Sequence, residues 1–101
     1  MAYNLAWSLD ASEDVQTIFA YLERVSPIYA LTFLDDLFDR ANNLVEYPMQ
    51  GRIVPEVDHP TLREVFVDQY RLIYHIEEQT ISVVTVVHMS RDLQTFWRQR
   101  N

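Results

Sequence analysis

Apolar and polar residues alternate at the start of the chain. Tyr3, Leu5, Trp7 and Leu9 fall on one side, and Asn4, Ala6 and Ser8 on the other. A period of two predicts a strand over 3–9 with one buried face. The pattern then turns helical: Val15, Ile18, Phe19, Leu22 and Val25 recur at spacings of three and four. The stretch "DASEDV" supplies the start signal. Asp10 or Ser12 can cap the helix, and Glu13 follows Asp10 at the capping-box distance. Pro27 cannot sit inside that helix. With Ser26 it reads as the cap and first residue of a second one, over about 27–46. Ala30, Phe33, Leu34, Leu37, Phe38, Ala41, Leu44 and Val45 form the apolar stripe of this second helix, and Asp35, Asp36, Asp39 and Arg40 lie opposite.

Residues 47–61 carry Pro48, Gly51, Pro55 and Pro60 and predict an irregular connection. Its length is unusual for a compact domain, and loops of that length are often functional. Three β-rich runs follow, at about 62–67, 70–77 and 80–88. Asp68-Gln69 and Glu78-Gln79 are expected to form tight hairpin turns between them. "TISVVTVVHM" is apolar on both faces, as a central strand is. Ser90 is expected to cap a last short helix bearing Leu93, Phe96 and Trp97 on one side. The predicted fold is α+β. A helical hairpin packs on a small, mostly antiparallel sheet in the order β-α-α-β-β-β, with a short C-terminal helix, and residues 1–101 form a single domain.

Composition narrows the function. The net charge is −7 and the chain contains no cysteine. Generic binding to nucleic acid or anionic membrane is disfavoured, and disulfides and thiolate metal sites are excluded. No stretch is long and apolar enough to span a membrane, and the first ten residues lack the basic and apolar regions of a signal peptide, so a cytoplasmic location is expected. Glycine-rich phosphate loops need more than one glycine, and His59, His75 and His88 have no metal-motif spacing, so no cofactor and no metal is expected.

The charge is unevenly spread. Residues 1–46 hold eight acids against two arginines, whereas residues 47–101 hold seven acids against six arginines. Every basic residue is Arg, the side chain suited to flat, two-pronged contacts with carboxylate or phosphate. Arg63, Arg71, His75 and His88 lie on the predicted sheet, with Arg52 before it and Arg91 after it. Arg71 and His75 are expected on an open sheet surface away from the helices. A two-residue turn at Asp68-Gln69 pairs Arg63 with Tyr74 on the core side, and a three-residue turn moves it to the side of Arg71. The plain alternative for each arginine is an ion pair, such as Arg52 with Glu56.

The motifs "PMQGRIVPE" at 48–56, "LREVFVDQYRLIYHI" at 62–76 and "VVHMSRDL" at 86–93, in this order, resemble the RelE/ParE superfamily of toxins from type II toxin–antitoxin systems. The resemblance covers nearly the whole chain. It implies a toxin neutralised by a cognate antitoxin protein. It also implies one of two targets: DNA gyrase for ParE-like members, or messenger RNA on the ribosome for RelE-like members. The Lys and C-terminal Tyr of the RelE pattern are missing here, and Phe96 or Trp97 stands near the Tyr position. A YoeB-like ribonuclease set would be Glu46, Arg71 and His88. The form "GRxxPE…LREVFVxxYRLIY…VxH" is closer to ParE, although Met89 replaces the glycine expected in an "HGxRD" pattern. The favoured expectation is a ParE-like gyrase inhibitor that contacts target or antitoxin through Arg52, Arg63, Arg71, His75, Arg91 and Trp97. A ribosome-dependent endoribonuclease and a non-toxic protein-binding module of the same fold are the alternatives.

Overall fold

The computed structural model describes residues 3–100. Strand β1 (Asn4–Trp7) is followed by helices α1 (Leu9–Val25) and α2 (Pro27–Leu44). A 3-10 turn at Pro48–Gln50 leads to β2 (Arg52–Ile53). Strands β3 (Leu62–Val67), β4 (Tyr70–Glu77) and β5 (Thr80–His88) then precede α3 (Leu93–Arg100). The sheet order is β1-β5-β4-β3-β2, with β1 parallel to β5 and every other pair antiparallel. The α+β class and the element order match the reading of the sequence.

Several boundaries differ from expectation. The first strand ends at Trp7, and Leu9 enters α1 with 74% of its surface exposed. The cap is Ser8, whose hydroxyl accepts from the amide of Ala11; Asp10 and Ser12 do not serve. Ser26 caps α2 as predicted, accepting from the amide of Tyr29, with Pro27 in the first turn. The last helix is capped by Asp92, which accepts from the Thr95 amide, while the Ser90 hydroxyl is engaged with His88.

The two helices cover one face of the sheet. Ala11, Leu22, Ala30, Phe33, Leu37, Ala41 and Leu44 meet Val65, Val67, Leu72, Tyr74, Ile81, Val83 and Val86 there. A smaller core lies on the opposite, outer face, where α3 and residues 54–57 bury Leu62, Ile73 and Val87 against Val54, Leu93 and Phe96. A bulge in β5 explains why this strand is apolar on both sides. Ile73 pairs with Thr85 but Tyr74 pairs with Val83, so Val84 is an extra residue and the alternation changes phase.

Strand β1 covers β5 only as far as Val83. Beyond it, the Ser8 amide and hydroxyl donate to the carbonyls of Val83 and Val84. The Asp14 carboxylate accepts from the Val86 amide at 3.1 Å and the Thr85 hydroxyl at 2.6 Å. Arg100 of α3 grips the same carboxylate at 2.6 and 3.1 Å. Helix α1 thus completes the edge that the short first strand leaves open, and α3 is tied to it around that edge.

The one glycine has a steric role. Gly51 is buried with ordinary extended dihedrals, but a Cβ there would stand 2.5 Å from the Glu64 carbonyl oxygen and 2.6 Å from the Tyr74 hydroxyl. Its amide donates to that hydroxyl at 3.0 Å, which in turn donates to the Pro48 carbonyl at 2.7 Å. The connection 48–53 is therefore pinned to β3 and β4 by close backbone approach. Gly51→Ala is expected to lower stability by about 2 kcal/mol or more, seen as a fall of roughly 10 °C in thermal melting.

Candidate functional site

The outer face of the sheet gathers most of the charged residues singled out in the sequence. On β4, Arg71, Ile73 and His75 point to this face, and on β3 Leu62, Glu64 and Phe66 do so. Glu64 faces Arg52 directly across the β2–β3 ladder and is the diagonal neighbour of Arg71 across β3–β4. The Glu64 side chain is fully buried and accepts from both arginines, from Nε of Arg52 at 2.7 Å and from Nε of Arg71. The terminal nitrogens of Arg71 donate in parallel to both oxygens of Glu56, at 3.0 and 2.7 Å. Two guanidinium groups and two carboxylates thus form one neutral cluster. Arg52 also lies over the Phe66 ring, 5.1 Å from its centre.

Arg71 is therefore not on an open surface, as the alternation alone suggested. Its side chain is 7% exposed, because Glu56 from the 54–61 connection closes over it. The pairing of Arg52 also differs from expectation: its partner is Glu64, and Glu56 goes to Arg71. The hydrogen bonds from Arg71 hold the Glu56 carboxyl below the usual carboxylate range, and the same bonds raise the Arg71 guanidinium still further above neutrality.

Arg63 takes the other side. Both hairpin loops have two residues, each opening with a left-handed residue, Asp68 at φ 52° and Glu78 at φ 49°. Arg63 accordingly pairs with Tyr74 on the helix-facing side, and its Nη1 donates to the Gly51 carbonyl at 2.8 Å. The Nε atoms of Arg63 and Arg40 are both buried without a hydrogen-bond partner among the described residues. Burial pushes the Tyr74 phenol up, so it remains the protonated donor in this corner.

The remaining residues flank the cluster. His75 is half-buried with Nδ1 3.1 Å from a Glu77 oxygen. Arg91 and Arg100 both lie against the Phe96 ring, with guanidinium carbons at 4.8 and 4.5 Å from its centre. Trp97 packs on the outer core and borders a cavity of about 420 Å³, shared with Glu56, Val57, Gln94 and Arg98. Of the six expected contact residues, Arg52, Arg71 and His75 share the outer sheet face, Arg91 and Trp97 belong to the segment that covers it, and Arg63 does not join them.

Glu46, Arg71 and His88 are not brought together. Glu46 follows α2 at the end of the sheet where the Tyr3 amide meets the Val45 carbonyl, beside the start of β5. His88 ends β5, edge-on to Tyr70 on the helix side, with Nδ1 accepting from the Ser90 amide. The eight residue steps from Thr80 to His88 span about 26 Å at the usual strand rise. Arg71 lies near the His88 end but on the opposite face. Among the described residues no group of His, Asp or Glu forms a metal site, and no helix is long and apolar enough to cross a membrane.

The family model of the ParE toxin of type II toxin–antitoxin systems matches residues 5–93, from β1 to the first residue of α3. The chain belongs to the ParE toxin family. Within the wider RelE/ParE superfamily it is 31% identical over 88 residues to Toxin RelE2 of Caulobacter vibrioides, covering 86% of this chain and 96% of that one. Its fold is similar to the chromosomal ParDE system of P. aeruginosa, with a TM-score of 0.72 and 18% identity over 88% of this chain and 98% of the other. It is also similar to the RelBE2 toxin–antitoxin complex of Mycobacterium tuberculosis, at 0.57 and 17% over 87% and 99%. At those identities the two structures establish the fold.

Sequence reasoning passed over Glu64, Glu56 and Asp14. The signal for Glu64 was present: an acid inside the apolar run "LREVFV", on the side of the strand that also carries Leu62 and Phe66. Removing Arg71 leaves the buried Glu64 with only Arg52, whose side chain is 55% exposed. Arg71→Ala is expected to cost about 3 kcal/mol in chemical denaturation, the lower end for breaking a buried pair, rather than the 0–1 kcal/mol of an exposed strand charge. Glu56 binds a proton less readily folded than unfolded. The stability it contributes is complete above its ordinary value of 4.5 and disappears as pH falls through its lowered folded value. The melting-temperature gap between wild type and Glu56→Gln is expected to be constant from neutral pH down to about 5 and to close below that.

Proposed function

We propose that this toxin acts as a ParE-like inhibitor of DNA gyrase, by binding rather than by covalent catalysis, and that a cognate antitoxin neutralises it in the cytoplasm. The observation that carries this reading is the separation of Glu46, Arg71 and His88 across two ends and two faces of the sheet. Message cleavage needs a proton acceptor at the 2′-hydroxyl, cations at the scissile phosphate and a proton donor at the leaving oxygen, all within hydrogen-bond reach of one substrate. Arg71 has its donors committed to two internal carboxylates. Phe96 and Trp97 stand near the position where the RelE pattern has its Tyr, and neither transfers a proton. The −7 charge also opposes approach to ribosomal RNA at the range where steering acts.

The antitoxin reading is supported by family membership and by the exposed apolar side chains of the helical hairpin. Tyr21 and Val25 on α1 and Ile28 and Leu31 on α2 are all more than half exposed beside a strongly acidic surface. Contiguous apolar exposure of this kind marks an interaction face. The deciding measurement sets a gyrase supercoiling assay beside ribosome-dependent cleavage of a short message by purified toxin. Inhibited supercoiling with intact message is the expected result. Message cleavage that disappears in Glu46→Ala and His88→Ala, with supercoiling unaffected, would instead install the ribonuclease alternative on the ribosome.

A further inference from the structure

Arg71 is presented as half of a binding site. Its Nε–H is held by Glu64, a carboxylate with no exposed surface, which fixes the plane of the guanidinium. The two terminal nitrogens then face outward as a fork, the geometry that matches a carboxylate with two parallel hydrogen bonds. The group in that fork is Glu56, whose side chain is 32% exposed. Glu56 comes from an exposed turn whose backbone is secured without it. Val54 is fully buried, and its carbonyl accepts from the amides of Val57 and Asp58 at 3.2 and 2.8 Å. The Glu56 side chain can therefore rotate off Arg71 while the turn stays in place. Beside it is the 420 Å³ cavity walled by Val57, Trp97, Gln94 and Arg98, with room for one large side chain.

We infer that Glu56 is an internal stand-in for an acidic side chain of a protein partner, which displaces it from the Arg71 fork and lodges its stem between Val57 and Trp97. The inference rests on the reading that this chain works by docking a protein. Chemistry favours a carboxylate over a phosphate. The fork already holds a carboxylate in two-pronged geometry, and exchanging one for another leaves the cluster neutral. A phosphate dianion would add charge to a chain that already carries −7. Arg98, on the cavity wall, supplies a second cation for the incoming group. Because the competitor is tethered, it lowers the apparent affinity for the partner by the fraction of time the fork is filled. The site is thus masked until a partner with enough additional contact displaces Glu56.

The test is a titration of the whole protein with sodium acetate, with sodium chloride at matched ionic strength as one control arm and inorganic phosphate as another. It is followed through the Arg71 side-chain Nε–H and the Trp97 indole N–H by two-dimensional NMR. In both Glu56→Ala and Glu56→Gln, acetate should produce a saturable shift of these signals with a midpoint at least tenfold lower than in wild type. Equal midpoints in wild type and variants would show that Glu56 guards nothing, and an identical response to chloride would reduce the effect to ionic strength. A tenfold preference for phosphate would overturn the assignment to a protein carboxylate. Two variants are used because Glu56→Gln keeps a hydrogen-bond acceptor at the fork and so preserves folding where Glu56→Ala does not. No partner enters the titration, so its outcome and that of the gyrase assay are separable.

Discussion

A carboxylate buried in the middle of a sheet is costly, and Glu64 is tolerated only because two guanidinium groups reach it. Removing such a charge from water without partners costs several kcal/mol even after relaxation. Arg52 and Arg71 offset that cost from the two neighbouring strands, and in doing so they set the position of β2 against β3 and β4. Arg71 in turn leaves two donors unmet, and these recruit Glu56 and with it the connection after β2. The two-residue strand, the turn at 54–58 and the outer core under α3 follow from one buried acid. An apolar residue at position 64 would remove the requirement for all of them, so the cluster specifies arrangement more than it adds stability.

A second carboxylate does comparable work at the opposite edge. Asp14 replaces the missing length of β1 along β5 and receives Arg100 from α3. The sheet is thus bounded on one side by Glu64 with its arginines and on the other by Asp14 with Arg100. Helix α3 is held over the outer face by an ionic contact at its last turn and by Leu93 and Phe96 in the outer core.

The sequence carried the parts of this fold that depend on period and local chemistry. The strand-to-helix change in period, the Ser26-Pro27 corner, the two-residue turns and the two-sided β5 were all legible, because each is decided by neighbours within a few positions. The end of β1 was not, since the alternation through Leu9 is indistinguishable from a longer strand until Ser8 is seen to cap α1. Nor was the burial of Arg71. Alternation showed which side of the strand it takes, but that side is covered only because residues 54–57 and α3 fold back over it from elsewhere in the chain. The pairing of Glu64 needed the register of three strands at once, and that register depends on the hairpin loops having two residues rather than three.

The concentration of arginine after residue 50 then has a physical reason that does not require a basic surface. Arg52 and Arg71 are neutralised by Glu64 and Glu56, Arg100 by Asp14, and Arg63 is turned to the helix side against the Gly51 carbonyl. Little net positive potential remains to draw in a polyanion, and the acidic helices oppose one. The affinity of such a protein for its target must come from short-range contacts made after encounter. Shape, apolar burial and the exchange of one ion pair for another are the terms available, and they select a folded protein surface over the phosphate backbone of a nucleic acid.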